Sequence, residues 1–363
     1  MKCIYVCHTY YHVFVSVLKE LNKPQDMQGH ATMVLSKMST DFETLKERLE
    51  KSGLFEEVIE FDEKVPDFFP DVMEWKKDRG NIVANMYGRI RYTKLLAKRE
   101  AEFINVDYKK YDEIYVYCDS DPIGVYLNQN RIYYHAVEDG LDTLKPLVRS
   151  KFDNRGAWKV KKFFSKVLNL TFICDGYSKY CLDMEVNNIA CIDDDPDVYK
   201  EVPRKELMKA LTQEQKNIVL KIFVKDLAKL ESQIEASGKC DDGIILLTEP
   251  LCTLDVRERL FKDLVEEYSK KGTVFIKPHP RDELDYNKLF PDLFVFDRTV
   301  PMEMLCFFDK LRYKTIVSVY TQLGLIDFVD EKIELGHDFM DKYEDPLVHR
   351  KKEILTGELK ERK

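Results

Sequence analysis

The residue whose surroundings most clearly suit catalysis or binding is a histidine between two prolines. The segment reads Lys277-Pro278-His279-Pro280 and follows an apolar stretch that is typical of a buried strand. Because proline fixes the backbone on both sides, we expect a rigid imidazole at the carboxyl end of that strand. An imidazole beside a lysine can bind a phosphate and donate a proton to it. A turn with an incidental surface histidine is the alternative, since proline also marks turns.

Two adjacent carboxylates end another apolar segment, in the motif Glu138-Asp139-Gly140. Successive side chains of a strand point to opposite faces, so one carboxylate can face a site while the loop holds the other. Gly140 allows the chain to turn sharply there. A carboxylate in such a position could take the proton of a sugar hydroxyl. The motif by itself is also compatible with a solvated turn.

Residues that could bind a ligand, with less specific motifs, follow three further apolar segments. Tyr320 and Thr321 stand at a predicted helix start, where hydroxyl and backbone N–H groups suit one phosphate. Capping of that helix would explain them equally. Glu303, one turn into another predicted helix, could accept hydrogen bonds from ribose hydroxyls. Glu249 ends a strand on the same predicted edge.

The elements that must position these residues alternate between short apolar segments and longer segments of helical period. This alternation is typical of βα units around a parallel sheet. Predicted helices cover residues 11–21, 40–51 and 75–103, and a charged helical connector covers 205–236. The predicted strands are residues 3–7, 32–35, 57–61, 113–118, 132–137 and 171–174, followed by 243–247, 273–276, 293–296 and 315–319.

The predicted fold class is therefore α/β, with two Rossmann-like domains facing a cleft. The N-terminal domain is predicted to cover residues 1–200. Residues 201–345 would form the helical connector and the C-terminal domain, and residues 346–363 a basic tail.

Length and composition exclude several classes of protein. The 363 residues with 44% hydrophobic content suffice for two domains with separate cores. A net charge of −8 argues against general nucleic-acid binding. The nine mostly isolated cysteines are typical of a reducing cytosol, and no Cys/His cluster predicts a metal site. No apolar run approaches the roughly 20 residues of a membrane span. We therefore predict a cytoplasmic protein whose membrane contact, at the inner face of the cell membrane, is peripheral.

The motifs together resemble those of bacterial sialyltransferases. Thr9 and Tyr10 after the first strand, and the residues around Glu249, look like loops of the lipooligosaccharide sialyltransferases of glycosyltransferase family 52. The capsular polysialyltransferases share the three main motifs. These are, in chain order, Glu138-Asp139-Gly140, His279-Pro280 and Tyr320-Thr321.

The resemblance implies a GT-B type fold and an inverting, metal-independent transfer of sialic acid from CMP-sialic acid to a hydroxyl of a glycan acceptor, without a cofactor. It implies Glu138 as general base, with Asp139 as the alternative, and His279 as general acid or electrostatic partner of the departing phosphate. The family prefers Ser-Ser or Ser-Thr where this chain has Tyr320-Thr321, which favours Thr321. A homodimer is common in the family. The implied donor contacts are Gly140, Glu249, Lys277, Pro280, Glu303, Tyr320 and Thr321, and the implied acceptor or sugar contacts are Thr9 and Tyr10.

Other readings of the chain remain open at this point. Asp119 and Asp121 match the Asp-x-Asp pattern that holds a divalent ion on a diphosphate-activated sugar, although caps for a helix near Pro122 would explain them too. The acidic run 193–195 suits a solvated loop. A non-catalytic nucleotide-sugar-binding adaptor is a further reading, because basic and aromatic residues in 149–166 and the basic tail suit an anionic membrane.

Overall fold

The computed structural model describes residues 2–39, 41–144, 148–192, 197–237, 240–308, 311–350 and 353–354. The acidic run 193–195 and most of the predicted basic tail lie outside these residues. The chain divides into two compact units, residues 1–215 and 216–363. Each unit is built around its own parallel sheet.

The first unit contains a seven-stranded sheet in the order β3-β2-β1-β4-β5-β6-β7. All of its neighbouring strands are parallel. The first five strands in this row, with the order 3-2-1-4-5, match the doubly wound dinucleotide-binding topology. The strands are β1 Cys3–Cys7, β2 Ala31–Ser36, β3 Glu57–Phe61, β4 Glu113–Tyr117, β5 Tyr134–Val137, β6 Cys181–Val186 and β7 Tyr199–Glu201.

Helices cover the sheet of the first unit. In the first of them, Tyr10–Leu21, nine of the twelve residues are buried, and the Thr9 side chain caps the N-terminus by accepting from His12 N–H. The helices are α1 Tyr10–Leu21, α2 Leu45–Ser52, α3 Pro70–Met73, α4 Ile82–Glu100, α5 Pro122–Gln129, α6 Arg149–Asp153, α7 Trp158–Lys162, α8 Arg204–Lys209 and α9 Gln213–Phe223, the last of which crosses into the second unit. Short 3-10 helices lie at Gln25–Met27, Pro66–Phe68, Glu74–Lys76, Tyr108–Lys110 and Ile189–Cys191, and a π-helix at Phe163–Val167.

The second unit contains a five-stranded parallel sheet in the order β10-β9-β8-β11-β12, which is again the doubly wound order. Its strands are β8 Cys240–Leu247, β9 Val274–Lys277, β10 Phe294–Val295, β11 Tyr313–Ser318 and β12 Val329–Glu334. Its helices are α10 Leu227–Ser237, α11 Leu254–Ser269, α12 Tyr286–Leu289, α13 Gly336–Met340 and α14 Pro346–His349, with a 3-10 helix at Met302–Phe307.

The burial of whole strands explains why apolar segments of the sequence predicted them. All five residues of β1 and all six of β2 are buried, because helices cover both faces of a parallel sheet. In such sheets ligands bind outside the carboxyl ends of the strands, where the strand order reverses. That point lies between β1 and β4 in the first unit and between β8 and β11 in the second.

The predicted α/β fold with two parallel-sheet domains is confirmed, and two of its details are wrong. Residues 171–174 form no strand, and Ile173 N–H instead donates to the Ser165 hydroxyl at 3.0 Å. The sheet continues through β6 and β7, whose acidic and lysine residues hid them from a search for apolar runs. The connector is helical as predicted but is divided among α8, α9 and α10. Among the described residues, every helix is too short or too polar to cross a bilayer.

Candidate active site

The two carboxylates that end β5 point in different directions. Glu138 is 1% exposed, and its Oε1 accepts from Asn187 N–H at 2.8 Å and lies 3.6 Å from Nη2 of the fully buried Arg204. Burial raises the pKa of Glu138 to about 7, against the effect of Arg204. The Asp139 side chain, in contrast, is 58% exposed. The exposure therefore favours Asp139, the alternative of the pair, as the site-facing carboxylate, because the strand alternation turns Glu138 inward.

Asp139 is oriented by a histidine for which the sequence analysis proposed no role. His12 is completely buried in α1, and its Nε2 lies 3.0 Å from Asp139 Oδ1 and 2.8 Å from the Asp139 carbonyl oxygen. His12 Nδ1 accepts from His8 N–H at 2.9 Å, which leaves the proton on Nε2. This N–H therefore donates to Asp139. The hydrogen bond is the main reason that the pKa of Asp139 is lowered.

A second buried histidine lies beside this pair. His8 Nε2 lies 2.8 Å from Glu63 Oε2 and 3.5 Å from Asp121 Oδ2. Burial alone would lower the pKa of His8, but Glu63, Asp121 and Asp139 together raise it above its ordinary value. Glu63 is fixed in turn by Ile123 N–H and the Ser36 hydroxyl. The segments that follow β1, β3, β4 and β5 thus carry an alternating set of imidazoles and carboxylates.

The remaining candidates of the first unit have local roles. The Thr9 hydroxyl caps α1, and the Tyr10 hydroxyl donates to the Phe42 carbonyl at 3.1 Å. Gly140 begins a turn in which its carbonyl accepts from Thr143. Thr9, Tyr10 and Gly140 are close in sequence to His12 or Asp139. Their contacts in the structure are local ones within the protein.

Asp119 and Asp121 do not act as one carboxylate pair. Asp119 is buried and accepts from Tyr134 OH at 3.1 Å and from Asp175 N–H at 2.9 Å. Asp121 lies beside His8 instead, and as the N-cap of α5 its side chain makes no capping hydrogen bond. The Asp-x-Asp reading therefore has no support in the geometry, and the predicted helix start at Pro122 is confirmed.

In the second unit, His279 follows β9 with one ring nitrogen directed into its own loop. Its Nδ1 accepts from Arg281 N–H at 3.1 Å, so the proton lies on Nε2. Burial, with Arg281 and Lys277, lowers the pKa of His279 to about 4. At neutral pH this half-buried imidazole is therefore uncharged. Among the described residues, Nε2–H has no acceptor and can be offered to a ligand.

A buried ion pair holds the His279 loop in place. The carboxylate of Asp282 receives hydrogen bonds from Arg257 Nη1 at 2.7 Å, the Thr248 hydroxyl at 2.6 Å and Tyr286 OH at 2.8 Å. The Thr248 hydroxyl also accepts from His279 N–H. Arg257, from α11, donates further to the carbonyls of residues 251 and 252. The loops after β8 and β9 are thereby fixed to each other.

We predict that Arg257→Ala destabilises the second unit by about 3–5 kcal/mol, because Asp282 would keep a buried charge without its cation. The midpoint of thermal unfolding measured by circular dichroism should fall accordingly. Arg259→Ala on the same helix is the control. Arg259 is exposed, so its loss should change the free energy of unfolding by less than about 1 kcal/mol. Equal midpoints for the two variants would contradict this role of Arg257.

The loop after β11 is organised by Glu249 rather than by a helix. Glu249 Oε1 accepts from the N–H groups of Val319, Tyr320 and Thr321 at 3.0, 3.0 and 2.9 Å. The predicted helix start at Thr321 is wrong, since the chain turns there and the Ser318 hydroxyl donates to the Thr321 carbonyl. These amides already have an anionic partner. Glu249 therefore positions the loop, and a phosphate there would depend on side chains.

The other residues implied as donor contacts differ in their access to solvent. Lys277 is 3% exposed, and its Nζ donates to the Pro278 carbonyl at 2.8 Å. Burial lowers the pKa of Lys277 to about 7, and Glu303 counteracts this effect. Glu303 lies in the 3-10 helix Met302–Phe307, and burial raises its pKa. Pro280 is exposed directly after His279. Lys277 is thus buried, while the residues around His279 reach the surface.

The side chains of Tyr320 and Thr321 have different surroundings. The Tyr320 hydroxyl lies 3.0 Å from Nδ1 of His337 and 3.1 Å from Nδ1 of His349. Thr321 is half-buried, and no partner of its hydroxyl occurs in the described part of the chain. Of this pair, Thr321 is the residue whose hydroxyl can serve a ligand.

Sequence reasoning missed the residues that hold the candidate groups in place. The clearest of the missed signals is that His8 and His12 directly follow the first strand, at the sheet edge where ligands bind. Arg204 and Asp282 gave no such signal, because only the fold brings them to their partners. The missed set is His8, His12, Glu63, Arg204, Arg257 and Asp282.

Known proteins share both the fold and the sequence features of this chain. Two doubly wound parallel-sheet units are the elements of GT-B glycosyltransferases. The sequence profile of glycosyltransferase family 52 matches residues 63–337, and the chain belongs to that family. An uncharacterised protein of Haemophilus influenzae is 29% identical over 140 residues, which cover 36% of this chain and 43% of that protein. The match thus spans less than half of that relative.

Solved structures of low sequence identity share the fold. The α/β-galactoside α-2,3-sialyltransferase of Photobacterium phosphoreum has a TM-score of 0.52 at 12% identity, with 91% of this chain and 89% of that chain covered. The GT-B domain of a Photobacterium damselae sialyltransferase has a TM-score of 0.53 at 13% identity, with 99% of this chain and 98% of that chain covered. A 2,6-sialyltransferase of a Photobacterium species, in complex with CMP and lactose, has a TM-score of 0.54 at 11% identity, with 99% of this chain and 76% of that chain covered.

Proposed function

We propose that this protein is an inverting, metal-independent sialyltransferase that transfers sialic acid from CMP-sialic acid to a hydroxyl of a glycan acceptor. The observation that carries the proposal is the exposed carboxylate of Asp139, fixed by a buried N–H donor from His12, in a chain of family 52. The likeness in fold to a sialyltransferase that holds CMP and lactose supports the same choice of substrates.

In this mechanism Asp139 is the general base. Its carboxylate takes the proton of the acceptor hydroxyl as that oxygen attacks the anomeric carbon of sialic acid. The bond from that carbon to the phosphate of CMP breaks at the same time, which inverts the configuration. His12 keeps Asp139 ionised and oriented. The first unit thus supplies the group that activates the acceptor.

The second unit supplies the donor to the departing phosphate. His279 offers a neutral Nε2–H, which can hydrogen-bond to a phosphate oxygen as its negative charge grows. Growing phosphate charge raises the pKa of the imidazole. Only after it has gained a second proton, as an imidazolium, could His279 pass a proton to CMP, so the neutral side chain acts first as a hydrogen-bond donor. Thr321 is proposed as a second hydroxyl donor to this phosphate, and Glu303 as the acceptor for ribose hydroxyls. One monophosphate leaving group requires less charge neutralisation than a diphosphate.

The test is release of CMP from CMP-sialic acid by the purified protein in the presence of EDTA, first without and then with a lactose-terminated acceptor. We expect slow hydrolysis alone and faster release with a suitable acceptor. Absence of both CMP release and calorimetric CMP binding would reject the proposal. A diphosphate-activated sugar tested in parallel covers the alternative donor class.

The non-catalytic adaptor is disfavoured by the Asp139 arrangement. A binding protein has no use for a carboxylate that a buried histidine holds ionised at the surface, whereas a base requires one. An adaptor would bind CMP-sialic acid and leave it intact. The same assay therefore separates the two functions.

We further propose that the first unit touches an anionic membrane. The helix α7 and the π-helix after it expose Val160, Phe163 and Val167 by 52%, 48% and 51%, at a spacing that places them on one face. Four lysines interleave with these residues. This composition suits a bilayer interface with anionic lipid, where a lipid-linked acceptor would reside. The predicted cytoplasmic location stays a prediction.

Sedimentation with vesicles tests this contact. Binding to vesicles containing phosphatidylglycerol should exceed binding to pure phosphatidylcholine, and it should fall in Phe163→Ser/Val167→Ser and at high salt. Leu254→Ser, an exposed apolar position in the second unit, is the control and should bind normally. Equal binding by all variants would contradict the proposed surface.

A further inference from the structure

Three aromatic rings of the second unit converge on one point. Tyr320 follows β11, His337 lies in α13, and His349 is the last residue of α14. Nδ1 of His337 and Nδ1 of His349 are 3.2 Å apart, and the Tyr320 hydroxyl lies 3.0 and 3.1 Å from them. The three donor atoms thus form a nearly equilateral triangle.

The triangle is built for a positive charge. Two Nδ1 atoms at 3.2 Å cannot both carry a proton, because the two hydrogens would collide. At least one nitrogen therefore directs a lone pair at the other. An anion would need N–H donors that point outward, which this pair does not provide. The pair can hold a metal ion or one shared proton.

The dimensions favour a metal ion. With Zn–N bonds of about 2.0–2.1 Å, the edges of a tetrahedral site are about 3.3–3.4 Å long. The observed edges of 3.0 to 3.2 Å are within a few tenths of an ångström of that value. Nε2 of His349 lies 3.1 Å from Asp341 Oδ1, although the two atoms do not have hydrogen-bond geometry.

The surrounding charge also favours a cation. Among the described residues, the carboxylates of Glu344, Glu249 and Asp341 and the guanidinium of Arg350 act on Tyr320. Arg350 is itself paired with Asp341 at 2.5 Å and with Asp338.

We propose that Tyr320, His337 and His349 form a binding site for a divalent transition metal ion of the zinc class, with both Nδ1 atoms and the phenolic oxygen as ligands. The ion would fasten α13 and α14 to the loop after β11. This site does not depend on the proposed function, whose chemistry needs no metal.

The test is titration of the untagged full chain, freed of metal by a chelator and then desalted, with Zn²⁺ by calorimetry and with Co²⁺ by visible absorption. We expect one equivalent to bind, with the absorption of tetrahedral Co²⁺ and without the intense near-ultraviolet band of a thiolate ligand. At a hundred-fold excess over Kd, Zn²⁺ should raise the midpoint of thermal unfolding by about 5 °C. Affinity should fall as pH falls, because the ligands must be deprotonated.

Variants decide whether the metal is at this site. His337→Ala and His349→Ala should each weaken binding at least about ten-fold, whereas His30→Ala, at an exposed position in the first unit, should not. Should an alanine variant fail to fold, His349→Gln provides a milder change, judged by its circular dichroism. Absence of stoichiometric binding, a thiolate band, or unchanged affinity in both histidine variants would overturn the proposal. A pH-dependent midpoint without metal binding would show a shared proton instead.

Discussion

Asp139→Asn should reduce transfer of sialic acid by about 10²–10⁴-fold in kcat, because the amide cannot accept the proton of the acceptor hydroxyl. The fold and the affinity for CMP should be unchanged, since the Asp139 side chain is 58% exposed and lies in the first unit. The measurement is the initial rate of CMP release with acceptor present, together with calorimetric binding of CMP.

Glu138→Gln is the matched control, because it alters the adjacent carboxylate in the same isosteric way. Glu138 is buried against Asn187 N–H and Arg204, and glutamine can still accept from Asn187. Turnover should therefore stay within about ten-fold of the original, while thermal stability falls as a buried pair is altered. An inactive but folded Glu138→Gln beside an active Asp139→Asn would reverse the assignment.

The pH dependence gives a separate check on His12. Its Nε2–H stabilises ionised Asp139 and lowers the pKa of that carboxyl. Activity should persist at acidic pH and decline only as the pH falls through this lowered pKa. In His12→Ala the pKa of Asp139 should rise, so the acid limb of the kcat profile should move to higher pH. An unshifted limb in a folded variant would show that His12 does not tune the base.

His279→Ala should lower kcat by about 10²–10³-fold, the effect of removing one preorganised donor from a developing negative charge. The thermal midpoint should change little, because Asp282 holds the loop through Arg257 and Thr248 rather than through the imidazole. The measurement is CMP release under saturating CMP-sialic acid, with and without acceptor.

His279→Gln separates the two roles that an imidazole can play. Its pKa of about 4 makes His279 a neutral N–H donor before the reaction. Glutamine can supply a comparable N–H donor but cannot transfer a proton. Recovery of part of the rate in His279→Gln would show that hydrogen bonding dominates, and a loss equal to that of alanine would show proton transfer. A fully active His279→Ala would remove this residue from the mechanism.

Buried strands and rigid motifs were readable because their signals are local. The strand β1 is five buried residues in a row, and a run of this kind is visible without any partner. The prolines beside His279 restrict the backbone by themselves. In contrast, β6 and β7 carry acidic residues and lysines, and only their place in the sheet identifies them as strands.

The loop after β11 shows how a distant residue can reverse a local expectation. Apolar residues followed by Tyr320 and Thr321 suggest a strand that runs into a helix. Glu249, some seventy positions earlier, binds three successive N–H groups, and the chain turns there instead. A local pattern cannot predict a contact between residues so far apart in the chain.

The sequence by itself determined the α/β class, the two series of βα units and the positions of the Glu138-Asp139-Gly140 and His279-Pro280 motifs, because these depend on periodicity and on residues close in the chain. Only the tertiary structure decided which carboxylate is exposed. It also decided which ring nitrogen of His12 and of His279 carries the proton. Asp139 depends on His12, and His279 depends on a loop that Arg257 and Asp282 hold in place. Such contacts join residues far apart in the chain, so the orientation and charge of a site follow from packing.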